Sequence, residues 1–223
     1  MVVDITNETA RAKTFRLALA HPSPHLAGQH YIIRLTAPDG YTAQRSYSVA
    51  SAPDGSNAID ITVEHLIEGE VSGFLHDEVV IGDELEVRGP IGGFFVWMAD
   101  TPALLVGGGS GVVPLMAMLR LARKSGKIGL AQLVASVRSP DELLYSAEIM
   151  GPDASIVYTR MTPPDYARGP GRITKEDLAP HIIPYQTAYV CGSAGFADAA
   201  SHLLVELGVP VHQIRVERFG PTS

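Results

Sequence analysis

Four consecutive residues, Arg45, Ser46, Tyr47 and Ser48 ("RSYS"), line up a guanidinium, two hydroxyls and an aromatic ring in a stretch that otherwise reads as a β-strand. They raise the question of which ligand needs those groups in line. A second run, "LLVGGGSGVVP", sets Gly107, Gly108, Gly109, Ser110 and Gly111 between an apolar strand and a helix start. Glycines there let the backbone approach a phosphate, and the helix aims its free N–H groups and positive dipole end at that anion. The same run also reads as a tight turn for close helix packing. Val112 stands where a dinucleotide fingerprint has its third glycine, and no acidic residue closes the next strand to hold a ribose hydroxyl.

Two further strand ends carry Ser136, Arg138, Thr159 and Arg160, with Arg172 nearby. Guanidiniums among hydroxyls suit a phosphate monoester through bidentate, charge-assisted hydrogen bonds, which favours the 2′-phosphate of NADP; the alternative is arginines solvated at a sheet edge. In "YVCGSAGF", Cys191 and Gly192 place a thiol at a strand end beside a helix start, a setting that lowers a thiol pKa. A lone buried cysteine also serves as an inert small hydrophobe. There is no HExxH and no cysteine cluster, so no protein-held metal is expected. "GGGSGV" lacks the last glycine of GxSxG, which argues against a serine hydrolase.

The elements that position these residues change period near Trp97. Before it, "KTFRLALA", "QHYIIRLTA", "RSYSVAS", "AIDITVEHL" and "DELEVRG" are short, β-rich and punctuated by Pro, Gly and Asp, which predicts an antiparallel barrel. One short helix interrupts them in "VSGFLHDEVV", with Ser72 expected as its cap. After "MADTP", apolar strands alternate with helices: "ALLVGGG" then "VVPLMAMLRLARKSG", followed by "LAQLVASV", "DELLYSAEI", "ASIVYTR", "TKEDLAPHI", "TAYVCGS" and "FADAASHLLVELG". That alternation predicts a parallel sheet with helices on both faces. "MTPPDYARGPGR" reads as a mobile loop. The uncharged run from Thr101 to Leu119 is split by two prolines and "GGGSG" into strand, turn and helix start, so no membrane insertion is expected.

The chain has 223 residues, 46% of them hydrophobic, enough for one large or two small cores. Its formal net charge of -7 argues against nucleic acid as a partner. Residues 1–100 hold 14 acidic and 6 basic side chains, a net of -8, and residues 101–223 hold 10 and 11, a net of +1; the second half is the better host for a phosphate-bearing ligand. Cys191 is the only cysteine, which excludes a disulfide within the chain and a cysteine-ligated iron–sulfur cluster. With "MVVDITNETA" lacking the marks of a signal peptide, a cytoplasmic setting is expected.

"RSYS", "GEVSGFLHD", "GDELEVRGPIGGF", "GGGSGVVPLMAML", "YVCGS" and the closing "ERFG", in that order, resemble the ferredoxin-NADP reductase superfamily of flavoproteins over nearly the whole chain. The resemblance implies two domains: an antiparallel Greek-key β-barrel for the flavin at residues 1–98, then an α/β parallel-sheet nucleotide-binding domain at residues 99–223. It implies FAD and NADP or NAD as cofactors. Arg45 would bind the flavin phosphate, with Ser46 beside it; Tyr47 would pack on the isoalloxazine, and Ser48 would hydrogen-bond near N5. Gly69, Val71 and Ser72 match the pyrophosphate turn, and Val63, Glu64 and His65 match strand contacts to FAD, although a basic residue is frequent where Glu64 stands. Gly107 to Gly111 match the nicotinamide-nucleotide loop, and Thr159 and Arg160 fall where NADP-specific members carry Ser-Arg. Cys191 and Gly192 match the pair flanking the nicotinamide. Glu217 and Phe219 match the Glu-x-aromatic ending, whose ring covers the flavin; ordinary hydrophobic closure is the other reading of Phe219. The implied activity is hydride transfer from NAD(P)H to FAD, then electron transfer to a separate acceptor such as a ferredoxin. Reduction of free flavin or another small acceptor is the alternative, and a subunit that binds both cofactors without turnover is a third. A monomer or weak dimer is expected.

Overall fold

The computed structural model describes residues 1–220. Period-two alternation builds its first half. In β5 (Ala58–Glu64), Ile59, Ile61 and Val63 point inward, and Asp60 and Thr62 point out. Strand β5 pairs antiparallel with β2 (Ala12–Ala18), which pairs with β1 (Val2–Thr9). A second three-stranded antiparallel sheet places β3 (His30–Thr36) between β4 (Thr42–Ser48) and β6 (Glu86–Ile91). The sheets join where β4 runs on to β5, through the Val49–Ile61 bridge and the Ala50 N–H donating to the Asp60 carbonyl at 2.7 Å. They join again where Val2 exchanges hydrogen bonds with Gly82 and Asp83 just before β6. The strand circuit β1-β2-β5-β4-β3-β6 thus closes into a Greek-key barrel. Its core includes Phe15, Leu17, Tyr31 and Ile33, and α1 (Glu70–Asp77) plugs one end with Val71 and Leu75.

The second half is a five-stranded parallel sheet in the order β11-β10-β7-β8-β9: β7 (Ala103–Gly108), β8 (Ala131–Val137), β9 (Ala154–Tyr158), β10 (Thr187–Ser193) and β11 (Ile214–Phe219). Strand β7 shows why both faces must be covered. Leu105 packs with α2 (Val112–Lys124) on one side, while Leu104 and Val106 pack with α5 (Ala194–Glu206) on the other. The uncharged run of residues 101–119 is the end of β7's lead-in, β7, a 3-10 turn at Gly109–Gly111 and the start of α2, and no helix among the described residues is long and apolar enough to cross a membrane.

Three expectations need correction. "DELLYSAEI" is not one helix but a 3-10 turn and a single helical turn, α3 (Ser146–Ile149), because Tyr145 adopts a left-handed conformation at φ 55° that breaks the run. "TKEDLAPHI" likewise shrinks to α4 (Lys175–Leu178) and a 3-10 turn at Ala179–His181. The third concerns Ser72, which does not cap α1: Gly69 holds the cap position, and Ser72 lies inside the first turn. The stretch "MTPPDYARGPGR" is irregular as expected, but it is anchored by the Tyr166 hydroxyl donating to the Ile156 carbonyl and by the Arg168–Asp177 ion pair.

The two halves share one apolar cluster. Ala12, Ala27 and Ala50 of the barrel meet Phe95 and Trp97 of the connecting segment and the buried face of α2. Trp97 is 1% exposed, its indole N–H donates to the Thr101 carbonyl at 2.9 Å, and its backbone bridges to Ala27. Trp97→Ala is expected to cost about 4 kcal/mol, the typical loss for a large aromatic cut from a close-packed core. Denaturant unfolding read separately by barrel and parallel-sheet probes should show both transitions shifted; a shift in one half alone would contradict a shared core.

Candidate active site

In the parallel sheet the chain starts at β7, adds β8 and β9 on one side, then returns to add β10 and β11 on the other. The switch point lies between β7 and β10, and ligands of such sheets bind at the carboxyl ends of the strands there. The glycine loop ends at that point. Gly109 has φ +55° with open space where a side chain would begin, and a Cβ on Gly111 would lie 2.3 Å from the Cys191 carbonyl oxygen. The loop therefore sits directly against Cys191 and Gly192, and α2 starts immediately behind it. Gly107 pairs in register with Cys191, and Gly108 with Ser136.

Cys191 also pairs in register with Glu217 on β11. Of the two readings of Cys191, a thiol acidified by the helix start and an inert buried hydrophobe, the structure supports the second. Cys191 is fully buried, and burial followed by the neighbouring Glu217 carboxylate raises the thiol well above its usual value. A helix start cannot offset that loss of water, so Cys191 is a neutral, shape-giving side chain rather than a thiolate. Glu217 is half-buried, with Oε2 inaccessible and without a hydrogen-bond partner among the described residues. Burial pushes its carboxyl up to about 7. Phe219, two residues on, is partly buried against the cluster that contains Cys191 and Tyr189.

On the barrel, Arg45, Ser46, Tyr47 and Ser48 end β4. Arg45 is exposed and donates one hydrogen bond, to the Gln44 carbonyl at 2.7 Å. Ser46 is exposed, Tyr47 is half-buried with its phenol pushed up to about 12 by burial, and Ser48 is buried. The turn leading into α1 lies by the other end of β4, where the Tyr41 hydroxyl donates to Glu70 at 3.0 Å. In that turn Ser72 Oγ donates to the Gly69 carbonyl and accepts from the Leu66 N–H, so its hydroxyl shapes the turn. Gly69, Val71 and Ser72 contribute backbone: the Gly69 N–H donates to the Leu66 carbonyl and the first helical bond is made by Gly73 to Gly69, which leaves the N–H groups of residues 70–72 without a helical partner, as at any helix start. Val63 fills the barrel core, and its carbonyl accepts from His76, so its side chain is not at the site. Glu64 is half-buried, and His65 Nε2 lies 3.9 Å from Asp77.

Ser136, Arg138, Thr159, Arg160 and Arg172 come together at the carboxyl ends of β8 and β9. The Arg160 N–H donates to the Arg138 carbonyl at 2.9 Å, the Thr159 N–H to Val137, and the Gly171 N–H to Tyr158. The three guanidiniums are exposed, and among the described residues only Arg138 has a carboxylate nearby, Glu142 at 3.6 Å. Arg120, Tyr189 and Arg215 were not expected from the sequence, yet they tie the halves together: Arg120 reaches the Ala50 carbonyl, and Tyr189 and Arg215 both reach the Val96 carbonyl. Arg120 had a signal, since it interrupts the apolar run "VVPLMAMLRLA". The open space over Gly109, the partnerless Glu217 Oε2 and the free N–H groups at the start of α1 fit a dinucleotide and a flavin phosphate.

The raised Glu217 carboxyl links stability to pH. The unfolded chain releases this proton near 4.5 and the folded chain near 7, so between those values the unfolded state binds fewer protons and stability falls as pH rises. For the cofactor-free chain, the thermal midpoint of Glu217→Gln relative to wild type should rise from about pH 4 to about pH 8. A constant difference across that window would contradict the assignment.

Comparison with known proteins agrees with this two-domain fold. The family model "Oxidoreductase FAD-binding domain" matches residues 1–96, and "Oxidoreductase NAD-binding domain" matches residues 105–202. A flavohemoprotein of Pseudomonas putida is 32% identical over 205 residues, which cover 88% of this chain and 51% of that protein. The ferredoxin reductase component of a 3-ketosteroid-9-alpha-monooxygenase from Rhodococcus rhodochrous is 29% identical over 226 residues, covering 98% of this chain and 64% of that protein. The chain therefore spans between about half and just under two thirds of the length of these relatives. The flavohem-like FAD/NAD-binding domain of a nitric oxide dioxygenase from Vibrio cholerae O1 biovar El Tor superposes with a TM-score of 0.85 at 26% identity, covering 99% of this chain and 98% of that one. With an FAD-binding barrel and an NAD-binding sheet in tandem, this chain belongs to the ferredoxin-NADP reductase superfamily.

Proposed function

We propose that the chain is an NAD(P)H-dependent flavoprotein reductase, with residues 1–98 holding FAD and residues 99–223 holding the nicotinamide nucleotide. The observation that carries this reading is the crevice at the β7–β10 switch point, where the Gly107–Gly111 loop, Cys191 and Glu217 converge. Bound FAD supplies what no side chain can, reversible acceptance of a hydride and release of electrons one at a time.

The residues supply placement. Arg45 and the N–H groups at the start of α1 bind the flavin phosphates, Tyr47 supports the ring, and Ser48 donates or accepts a hydrogen bond at its reactive edge. Cys191, neutral and buried, shapes the nicotinamide pocket, and Gly192 keeps it narrow. Glu217, its carboxyl raised to about 7 by burial, sits beside that pocket. Phe219 shields the flavin face. Arg138, Arg160 and Arg172, with Ser136 and Thr159, give a cationic, hydroxyl-lined end for a 2′-phosphate, which favours NADPH over NADH.

The electrons pass to an acceptor that lies outside the two domains of residues 1–223. A ferredoxin-like carrier is supported by relatives such as the Rhodococcus rhodochrous reductase component. Reduction of free flavin is the second reading, favoured by the net charge of -8 on residues 1–100, which opposes docking of an acidic carrier.

The chain purified with FAD should be yellow and should bleach anaerobically on adding NADPH. Arg160→Ala should raise KM for NADPH roughly tenfold with kcat little changed and leave NADH unaffected, as expected when a charge-assisted ground-state contact is lost. A colourless chain that ignores added FAD would overturn the reductase reading, and an unchanged NADPH preference would overturn the phosphate site.

A further inference from the structure

A closed ring of hydrogen bonds crosses between the two halves. The Tyr145 hydroxyl and Thr62 Oγ1 are 2.6 Å apart, Thr62 Oγ1 and Thr14 Oγ1 are 2.8 Å apart, and Thr14 Oγ1 donates to Glu8 Oε1 at 2.7 Å. The other carboxylate oxygen, Glu8 Oε2, accepts the backbone N–H of Tyr145 at 3.1 Å. Each hydroxyl has one proton, so the directions are fixed. Thr14 gives its proton to Glu8, Thr62 must then give its own to Thr14, and Tyr145 must donate to Thr62. Every proton runs toward one carboxylate, and that carboxylate also takes the backbone of the residue that starts the chain of bonds.

Tyr145 is held at φ 55°, ψ 34°, a conformation a bulky residue adopts only when its surroundings impose it. Its ring is buried, with the Arg120 guanidinium over it at 4.7 Å. Arg120 donates to the Ala50 carbonyl at 2.8 Å and grips Glu148 through Nε and Nη2. Ala50 lies two residues beyond Ser48, and Arg120 is on α2, the helix that starts at the nucleotide loop. One end of the network thus holds the strand that carries Ser48, and the other holds the helix behind Gly107–Gly111.

We propose that the Tyr145–Thr62–Thr14–Glu8 ring, braced by Arg120, is a positioning clasp that fixes the angle between barrel and parallel sheet and so the approach of nicotinamide to flavin. The proposal rests on the reductase reading for its consequence but not for its mechanics. None of these residues is among those assigned to either cofactor; they act through α2 and the end of β4.

The test uses Tyr145→Phe, Thr62→Val and Thr62→Ser in the full chain. Tyr145→Phe keeps the ring under Arg120 and loses the hydroxyl, Thr62→Val breaks the ring of bonds while keeping the shape, and Thr62→Ser retains it. In the cofactor-free chain, amide exchange of the connecting segment 92–102 should quicken in Tyr145→Phe and Thr62→Val and return to the wild-type rate in Thr62→Ser, with β7 and β10 unchanged. In the FAD-loaded chain, flavin bleaching at saturating NADPH should slow on the order of tenfold in the first two variants, since small misplacement of reacting groups is costly. Kd values for FAD and NADPH should stay near those of wild type. Unchanged exchange and unchanged bleaching, or slowing explained by lost cofactor binding, would overturn the clasp. If the wild-type chain is not bleached at all, the reductase reading fails and the exchange measurement alone decides the clasp. If Tyr145→Phe does not fold, the contrast between Thr62→Val and Thr62→Ser decides the clasp in the same way.

Discussion

Everything at the site depends on how firmly the barrel and the parallel sheet are docked. Hydride transfer demands that two ring systems meet within contact distance, and here one ring is assigned to each half. The shared apolar cluster gives the docking its non-directional strength, with Trp97 and Phe95 buried between the alanines of the barrel and the face of α2. Burial alone leaves the angle loosely set. Directional bonds across the seam define it: Arg120 to Ala50, Tyr189 and Arg215 to Val96, and the ring through Tyr145. The small side chains at the contact, Ala12, Ala27 and Ala50, let backbone and helix approach closely enough for those bonds to form.

The crevice follows from topology. Reversal of strand order between β7 and β10 opens the sheet at its carboxyl edge, and close packing of Gly111 on the Cys191 carbonyl brings the loop, the thiol and Glu217 into one place. Burial then sets the protonation there. It keeps Cys191 neutral and raises the Glu217 carboxyl to about 7, so the crevice carries a group that changes charge near neutral pH.

Much of the fold was legible because it rests on period and punctuation. The alternation in "AIDITVE" marked β5, and the break of "LLVGGGSGVVP" marked strand, turn and helix. What failed depended on depth or on distant partners. Ser72 precedes an apolar run, as a cap does, yet the turn at Gly69 starts the helix earlier and takes up the Ser72 hydroxyl. A strand end beside a helix start left an acidic thiol open next to an inert buried one, and the choice rests on Cys191 lying fully buried beside a carboxylate, which no local pattern carries. "DELLYSAEI" has helical composition, and only contacts with Glu8 and Thr62, 137 and 83 residues away in the chain, hold Tyr145 in the conformation that breaks it. Of the site, the glycine loop and the arginines were readable as local clusters. The seam was not, since its residues become neighbours only after both halves fold.

The most direct measurement is a crystal structure of the chain grown with FAD. The account predicts the isoalloxazine lying between the end of β4 and the β7–β10 crevice, with Ser48 at its reactive edge, Arg45 on a phosphate, and Cys191 and Glu217 on the side the nicotinamide enters. Density for the ring elsewhere, or side chains filling the space between Tyr47 and Cys191 when FAD is bound, would contradict it.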